Sequence, residues 1–170
     1  MFHSKLVIEQ LGKHHDRAAF DCGIEELGHY IRVQASQDIK KKVTATFVLA
    51  GVLPAIIVGY YSLSSTIVKV KELPEQVAKK LPRYPTMPAT LIGRLAVDRR
   101  YQGSGYGELL LMDALKRSLI STEQIGSVAV IVEAKNDKAK AFYEHFQFIP
   151  LVNYSYRLFL PMIEIQDFLA

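Results

Sequence analysis

Leu95-Ala96-Val97-Asp98-Arg99-Arg100-Tyr101-Gln102-Gly103-Ser104-Gly105-Tyr106-Gly107-Glu108-Leu109-Leu110-Leu111 is an apolar, strand-like run, two arginines, a loop with glycine at alternate positions, and the start of a leucine-rich helix. A helix N-terminus leaves backbone N–H groups without intrahelical partners, and the helix dipole favours negative charge there. Gly103, Gly105 and Gly107 carry no Cβ, so phosphate oxygens can approach the main chain closely. The stretch reads as a cradle for a phosphorylated ligand, and the rest of the chain must say which one.

Strand-like runs at Leu6–Leu11, Thr44–Ala50 and Ala55–Ser65 precede it, with Ala89–Val97 as the fourth strand. Between the first and second, Ile24, Leu27, Ile31 and Ala35 recur at spacings of three and four, the pattern of an amphipathic helix over Ile24–Gln37. Asp21 and Gly23 stand ahead of it as start signals, and Lys40-Lys41-Lys42 closes the region. Pro74, Pro82, Pro85 and Pro88 make Lys69–Pro88 a rigid excursion, with a short helix predicted between Glu75 and Lys80. A helix follows the glycine loop over Gly105–Leu119. Valine-rich Ser127–Glu133 reads as a strand buried on both faces, Asp137–Phe146 as a helix and Tyr156–Leu160 as a closing strand. The sum is a mixed α/β domain around a central sheet.

The chain has 170 residues, 49% of them hydrophobic and 22% charged, which fits a single globular domain over 1–170 with a sizeable core. One cysteine, Cys22, excludes an intramolecular disulfide and suits a reducing cytosol, so the expected location is cytoplasmic. The net charge of +4 is compatible with anionic partners. Met1-Phe2-His3-Ser4-Lys5 leads into a strand rather than a long apolar core, so no secretory signal is expected. Val43–Val68 holds no charged residue, but Gly51, Pro54, Gly59 and its β-branched and aromatic content favour two buried strands over a membrane span.

Three glycine motifs compete for the loop. A dinucleotide fingerprint belongs to an early βαβ unit with an acidic residue after the second strand; here three strands come first and Glu133 lies too far on. A nucleotide-hydrolase loop needs Gly-Lys-Ser/Thr, which is absent. The third is the acyl-CoA loop, Gln or Arg, two residues, Gly, one residue, Gly or Ala. Gln102, Gly105 and Gly107 fit it, and Arg100, Gly103 and Gly105 fit it in a shifted register. With the order of elements, the Leu95-Ala96-Val97 strand and Ala141-Phe142-Tyr143 on the helix after the next strand, the chain resembles the GNAT superfamily of N-acetyltransferases. Phe20-Asp21-Cys22-Gly23, Gly59-Tyr60-Tyr61-Ser62-Leu63, Gly93-Arg94-Leu95-Ala96-Val97-Asp98 and Tyr101-Gln102-Gly103 resemble, within it, the acetyltransferase toxins of bacterial toxin–antitoxin pairs, which acetylate aminoacyl-tRNA. The resemblance spans about residues 5 to 160. It departs at Leu27-Gly28, where those toxins often have Leu-Asp.

The resemblance implies a mixed sheet flanked by helices and splayed between strands 4 and 5, with acetyl-CoA as cosubstrate. It places the pantetheine against Leu95, Ala96 and Val97. The pyrophosphate goes to the N–H groups of Gln102, Gly103, Ser104, Gly105, Tyr106 and Gly107, with Arg99 or Arg100 adding charge-assisted bonds and Asn136 contacting the cofactor. It makes Tyr143 the general acid for the departing thiolate, since a phenol of pKa about 10 stays protonated at neutral pH. On spacing alone Tyr143 fits equally a core tyrosine beside Phe142, Phe146 and Phe148, and Asn136 a helix N-cap. No carboxylate stands out as general base; Glu133 at a strand end fits a solvated position as well as a cleft. An α-amine, pKa about 7.7–8.0, needs little help to lose its proton, whereas a lysine amine near 10.4 needs far more.

The partners implied are acetyl-CoA, aminoacyl-tRNA and a cognate antitoxin, with a homodimer compatible and no membrane. The alternatives are an N-acetyltransferase of a small or protein amine, and an acetyl-CoA-binding module without turnover. Arg94 fits an acceptor or cofactor contact or an exposed structural residue. Cys22 reads as a packed thiol, and His14-His15-Asp16 as a polar turn, so no metal is expected. Lys40-Lys41-Lys42, Lys69, Lys71, Lys79-Lys80, Arg83 and Lys135-Lys138-Lys140 would attract RNA phosphates if they converge, and Tyr60, Tyr61 and Tyr84 are candidates to stack on a terminal adenosine.

Overall fold

The computed structural model describes residues 5–170, so the reading of Met1–Ser4 lies outside it. The strand-like runs form β1 (Leu6–Gln10), β2 (Ala45–Gly51), β3 (Ile57–Lys69), β4 (Thr86–Val97), β5 (Ala129–Glu133), β6 (Ile149–Pro150) and β7 (Arg157–Pro161). They are hydrogen-bonded in the order β1-β2-β3-β4-β5-β7-β6. β1–β2, β2–β3, β5–β7 and β6–β7 are antiparallel, while β4 and β5 are parallel. This is the mixed sheet that the sequence implied, and the uncharged stretch Val43–Val68 supplies β2 and most of β3. Among the described residues no helix is long and apolar enough to cross a membrane.

The helices are α1 (Glu25–His29), α2 (Ala35–Lys40), α3 (Glu75–Ala78), α4 (Tyr106–Ser121), α5 (Asp137–His145) and α6 (Met162–Leu169). α1 and α2 are one continuous rod joined by a π-helical stretch, Tyr30–Gln34, so the predicted helix holds one insertion and runs on to Lys40. β4 starts at Thr86, earlier than expected, with Pro88 inside it; Pro88 donates nothing, but its carbonyl accepts from the Val128 N–H at 2.9 Å. The two-residue β6 and the C-terminal α6 have no counterpart in the sequence reading. The first is too short to show a period, and the second buries only Met162 and Ile165.

Two compact units divide the chain. One comprises residues up to Ser64 with Gly93–Ala114, the other Ser65–Ile92 with Leu115–Ala170. In the first, Phe20, Leu27, Tyr30, Ile31, Tyr60 and Ala96 share a core. Alternation along β3 sends neighbouring tyrosines to opposite faces. Tyr60 donates to the Leu27 carbonyl at 2.7 Å on the α1 side, and Tyr61 donates to Asp113 of α4 at 2.6 Å. Gly59, on the same face of β3 as Tyr61, has room for nothing larger: a Cβ there would stand 2.8 Å from the Ala96 carbonyl oxygen and 2.7 Å from a methyl of Leu110. Gly59→Ala is therefore expected to cost about 1–3 kcal/mol through overpacking, read as a lowered urea midpoint at unchanged slope. In the second unit, Val68, Leu73, Met87, Ile131, Leu151 and Phe159 form the corresponding core. The β4–β5 ladder pairs Thr90–Ile92 with Val130–Val132, and β4 continues through Gly93–Val97 beyond that register.

Candidate active site

β4 delivers the chain to Asp98, whose N–H donates to the Val58 carbonyl at 2.8 Å. The Asp98 carboxylate is buried and organises everything that follows. It accepts from the Arg100 N–H at 3.0 Å, from Arg100 Nε at 2.9 Å and Nη2 at 3.1 Å, and from the Asp21 N–H at 3.0 Å. Burial by itself would raise the Asp98 pKa; the bonds from Arg100 and Asp21 outweigh that, and the carboxyl is held below the ordinary carboxylate value. Arg99 lies on the outside, its N–H on the Asp21 carbonyl at 2.9 Å and its Nε 3.2 Å from the Asp21 carboxylate. Gln102 then turns back, its Nε2 donating to the carbonyls of Val97 at 2.8 Å and Cys22 at 3.1 Å. Gly23, at φ +91, allows the Asp21–Gly23 segment to bend into this network. The Phe20–Gly23 and Asp98–Gly103 words in the sequence thus have one physical cause: each holds the other.

Past Gln102, Gly103 and Gly105 adopt φ of +84 and +85, with open space where a Cβ would stand. Helix α4 opens at Tyr106, and its first backbone bond runs from the Leu109 N–H to the Gly105 carbonyl. The N–H groups of Tyr106, Gly107 and Glu108 therefore start the helix without intrahelical partners. The loop is exposed and ends in free N–H donors at a helix N-terminus, an arrangement that suits a diphosphate. Gln102 anchors it through backbone carbonyls, and Arg100 is anchored in turn by Asp98.

In the other unit, Asn136 caps α5, its side-chain oxygen accepting from the Ala139 N–H at 2.9 Å. Tyr143, on α5, is 6% exposed and packs edge-on against Phe142 and Phe148, with ring centroids 5.3 and 5.5 Å away. Among the described residues its hydroxyl has no hydrogen-bond partner. Burial pushes the phenol well above its usual pKa. Tyr143 is thus the core ring that its spacing allowed, with a hydroxyl that stays protonated at neutral pH.

Other expectations are corrected or narrowed. Tyr60 and Tyr61 are fully buried and cannot stack on an RNA base; Tyr84, 64% exposed, is free to do so. Glu133 is exposed at the end of β5, opposite Arg157 in register. Cys22 is a packed thiol whose Sγ donates to the Ile24 carbonyl, and burial raises its pKa. Gly28, in place of the expected aspartate, leaves room for Arg32, whose guanidinium passes 2.8 Å from where a Cβ would stand. Sequence spacing missed Glu9, which joins His14 and His15 in a cluster with all ligand atoms within 4.8 Å of one another. The Gly12 N–H donates to His15 Nδ1 at 2.9 Å, so the His15 proton sits on Nε2 and is donated to Glu9 at 2.8 Å. No lone pair of that ring is left for a metal ion. The bond from His15 is the main reason the Glu9 carboxyl lies below its usual pKa.

A mixed sheet whose fourth strand leads into a glycine loop and a helix is the frame of an acetyltransferase, and the comparisons bear that class out. A family model described as an acetyltransferase (GNAT) domain matches residues 56–150. The chain belongs to this family, as an N-acetyltransferase whose cosubstrate is acetyl-CoA. It is 31% identical to the probable toxin TacT of Sinorhizobium fredii, over 98% of this chain and 97% of the relative. The crystal structure of AtaT complexed with acetyl-methionyl-tRNAfMet is 31% identical at a TM-score of 0.91, covering 98% of this chain and 100% of that one. A tyrosine-to-phenylalanine mutant of the AtaT toxin, bound to the C-terminus of the antitoxin AtaR and acetyl-CoA, is 28% identical at a TM-score of 0.82, covering 97% and 98%.

Proposed function

We propose that the chain is a cytoplasmic toxin that transfers the acetyl group of acetyl-CoA to the α-amino group of aminoacyl-tRNA, and that all of residues 1–170 act as one acetyltransferase domain. What carries the chemistry is the Tyr143 hydroxyl, mounted on a buried ring and left without a partner. What carries the acceptor is the similarity, over nearly the whole chain, to TacT and to AtaT with its acetyl-methionyl-tRNA.

In this reading the N–H groups of Gln102–Gly107 hold the diphosphate, and Arg99, whose guanidinium is exposed, adds a charge-assisted bond. Main-chain groups of Leu95, Ala96 and Val97 pair with the pantetheine and orient the thioester carbonyl. The side chains of Asp98 and Gln102 act by holding the loop and touch no substrate. Asn136 contacts the cofactor with the amide nitrogen left over from its capping role. The amine attacks as the free base, the C–N bond forms as the C–S bond breaks, and the Tyr143 hydroxyl gives its proton to the departing sulfur. The ammonium proton passes to solvent, from which the Tyr143 phenolate takes one back, restoring the acid. An α-amine adjacent to an ester is largely unprotonated near neutral pH, so no carboxylate base is required. An antitoxin whose segment covers this site is the expected partner.

Incubating the chain with radiolabelled acetyl-CoA and total charged tRNA is expected to place label on the aminoacyl moiety, released as N-acetyl-amino acid by mild base. Label confined to polyamines, peptides or lysine side chains would replace this reading with a small-amine or protein acetyltransferase. Absence of label on every acceptor would leave only an acetyl-CoA-binding module.

A further inference from the structure

Arg94 is the arginine of β4 that neither the loop nor an ion pair claims. It is half-buried, and its guanidinium carbon lies 3.4 Å from the centroid of the Tyr30 ring. Its other polar contact is a long one, Nη1 to the Ser62 hydroxyl at 3.4 Å. Among the described residues no carboxylate pairs with it. Asp38, which accepts from the Tyr30 hydroxyl at 2.8 Å and the Gln34 amide at 3.0 Å, feels the Arg94 charge without forming an ion pair with it. A guanidinium with no carboxylate bonded to its nitrogens keeps donors for the anion of a ligand.

The fold holds this arrangement in place from two sides. Tyr30 opens the π-helical stretch between α1 and α2, an insertion that re-aims a helix face and is frequent at functional sites. Its ring is in turn stacked on Tyr60 and its hydroxyl is tied to Thr44 and Asp38, so the platform under Arg94 is fixed. Strand alternation puts Arg94 with Ala96 on the α1–α2 side of β4, the face opposite to the one that meets α4. The donor's diphosphate belongs at the N-terminus of α4. Arg94 therefore faces the side of the strand that the donor's phosphates do not use, one residue before the backbone assigned to the pantetheine.

We propose that Arg94 is an acceptor-binding residue that takes a phosphate from the 3′-terminal nucleotides of the aminoacyl-tRNA and so sets the reach of the α-amine to the thioester. A planar guanidinium held flat on an aromatic ring presents its outer nitrogens as a fork, the geometry that grips phosphate in two places. This rests on the acceptor class proposed above, and deepens it by assigning the residue that distinguishes an RNA-borne amine from a free one.

The test compares two acceptors with the full-length chain: aminoacyl-tRNA, and puromycin, an aminoacyl nucleoside with an α-amine and no phosphate. Arg94→Met is expected to lower kcat/KM on aminoacyl-tRNA about 10- to 100-fold, mainly through KM, while kcat/KM on puromycin and KM for acetyl-CoA stay within about twofold of wild type. Arg94→Lys, which keeps the charge but not the fork, is expected to recover part of the loss. An equal loss on both acceptors would reduce Arg94 to a packing residue for Tyr30 and overturn the proposal, as would an unchanged rate on aminoacyl-tRNA. A wild-type chain that acetylates neither acceptor but labels polyamines or peptides would overturn the acceptor class itself, and this assignment with it.

Discussion

Tyr143→Phe is expected to lower kcat by about 10²- to 10⁴-fold, the range for loss of a positioned general acid, with little change in KM for acetyl-CoA. The substitution removes one oxygen and keeps the ring, so the edge contacts to Phe142 and Phe148 persist. Among the described residues the lost hydroxyl has no partner, so folding stability should change by no more than about 1 kcal/mol. A calorimetric or denaturant measurement beside the kinetics separates the two effects. Expression of the wild-type chain is expected to arrest growth and Tyr143→Phe to abolish the arrest. The pH profile adds an independent check. Burial raises the Tyr143 pKa above the usual 10, so the acid form is intact across the whole working range. The rate should climb as the acceptor amine loses its proton and show no descending limb below about pH 10. A limb falling near pH 8 would assign the proton to another group.

Asp98→Ala is expected to show the largest effect away from the reacting atoms. The substitution strips the acceptor from four donors at once: the Asp21 and Arg100 N–H groups and two nitrogens of the Arg100 guanidinium. Arg100 is half-exposed and water can re-solvate it, so the cost falls below that of a fully buried pair, at about 2–4 kcal/mol. The functional loss should exceed the stability loss, because the Asp21 segment and the glycine loop lose their common anchor. KM for acetyl-CoA should rise about tenfold or more while puromycin-type acceptors keep their own KM. The same carboxylate links stability to acidity. Its pKa in the folded chain lies below the unfolded value of about 3.9, so its contribution is fully present above that value and lost as the pH falls through the lower, folded one. Wild type should therefore lose stability on acidification below about pH 4, and the Asp98→Ala chain should lose less over the same interval.

The glycine loop was legible because its chemistry is backbone chemistry: alternate glycines ahead of an apolar helix have few other uses, and both positive-φ residues, Gly103 and Gly105, lie where the spacing put them. Tyr143 was legible only in part. Its place on the helix after β5 suggested an acid and its aromatic neighbours a core ring; the ring is buried among them, and its part as an acid belongs to the proposed function. The role of Asp98 could not be read from spacing, because its partner Asp21 is 77 residues away and the pairing exists only once the sheet is assembled. Arg94 was ambiguous for the same reason, since the ring beneath it comes from a helix 64 residues earlier and is aimed by an insertion that helical periodicity conceals. Tyr60 and Tyr61 misled because an aromatic pair on a strand has the same appearance whether one face or both are covered.

The bonds from Asp98 to the Asp21 N–H and from Gln102 to the Cys22 carbonyl span 77 and 80 residues of chain. A contact closed over that distance costs only a little more entropy than a shorter one, but it must wait for the intervening strands to pair, which makes it slow to form. During synthesis the Asp21–Cys22 segment emerges first and lacks these two bonds until Gln102 has left the ribosome. The Phe20–Gly23 segment and the glycine loop are thereby made apart and joined late: neither is held in its final shape until the other has been synthesised.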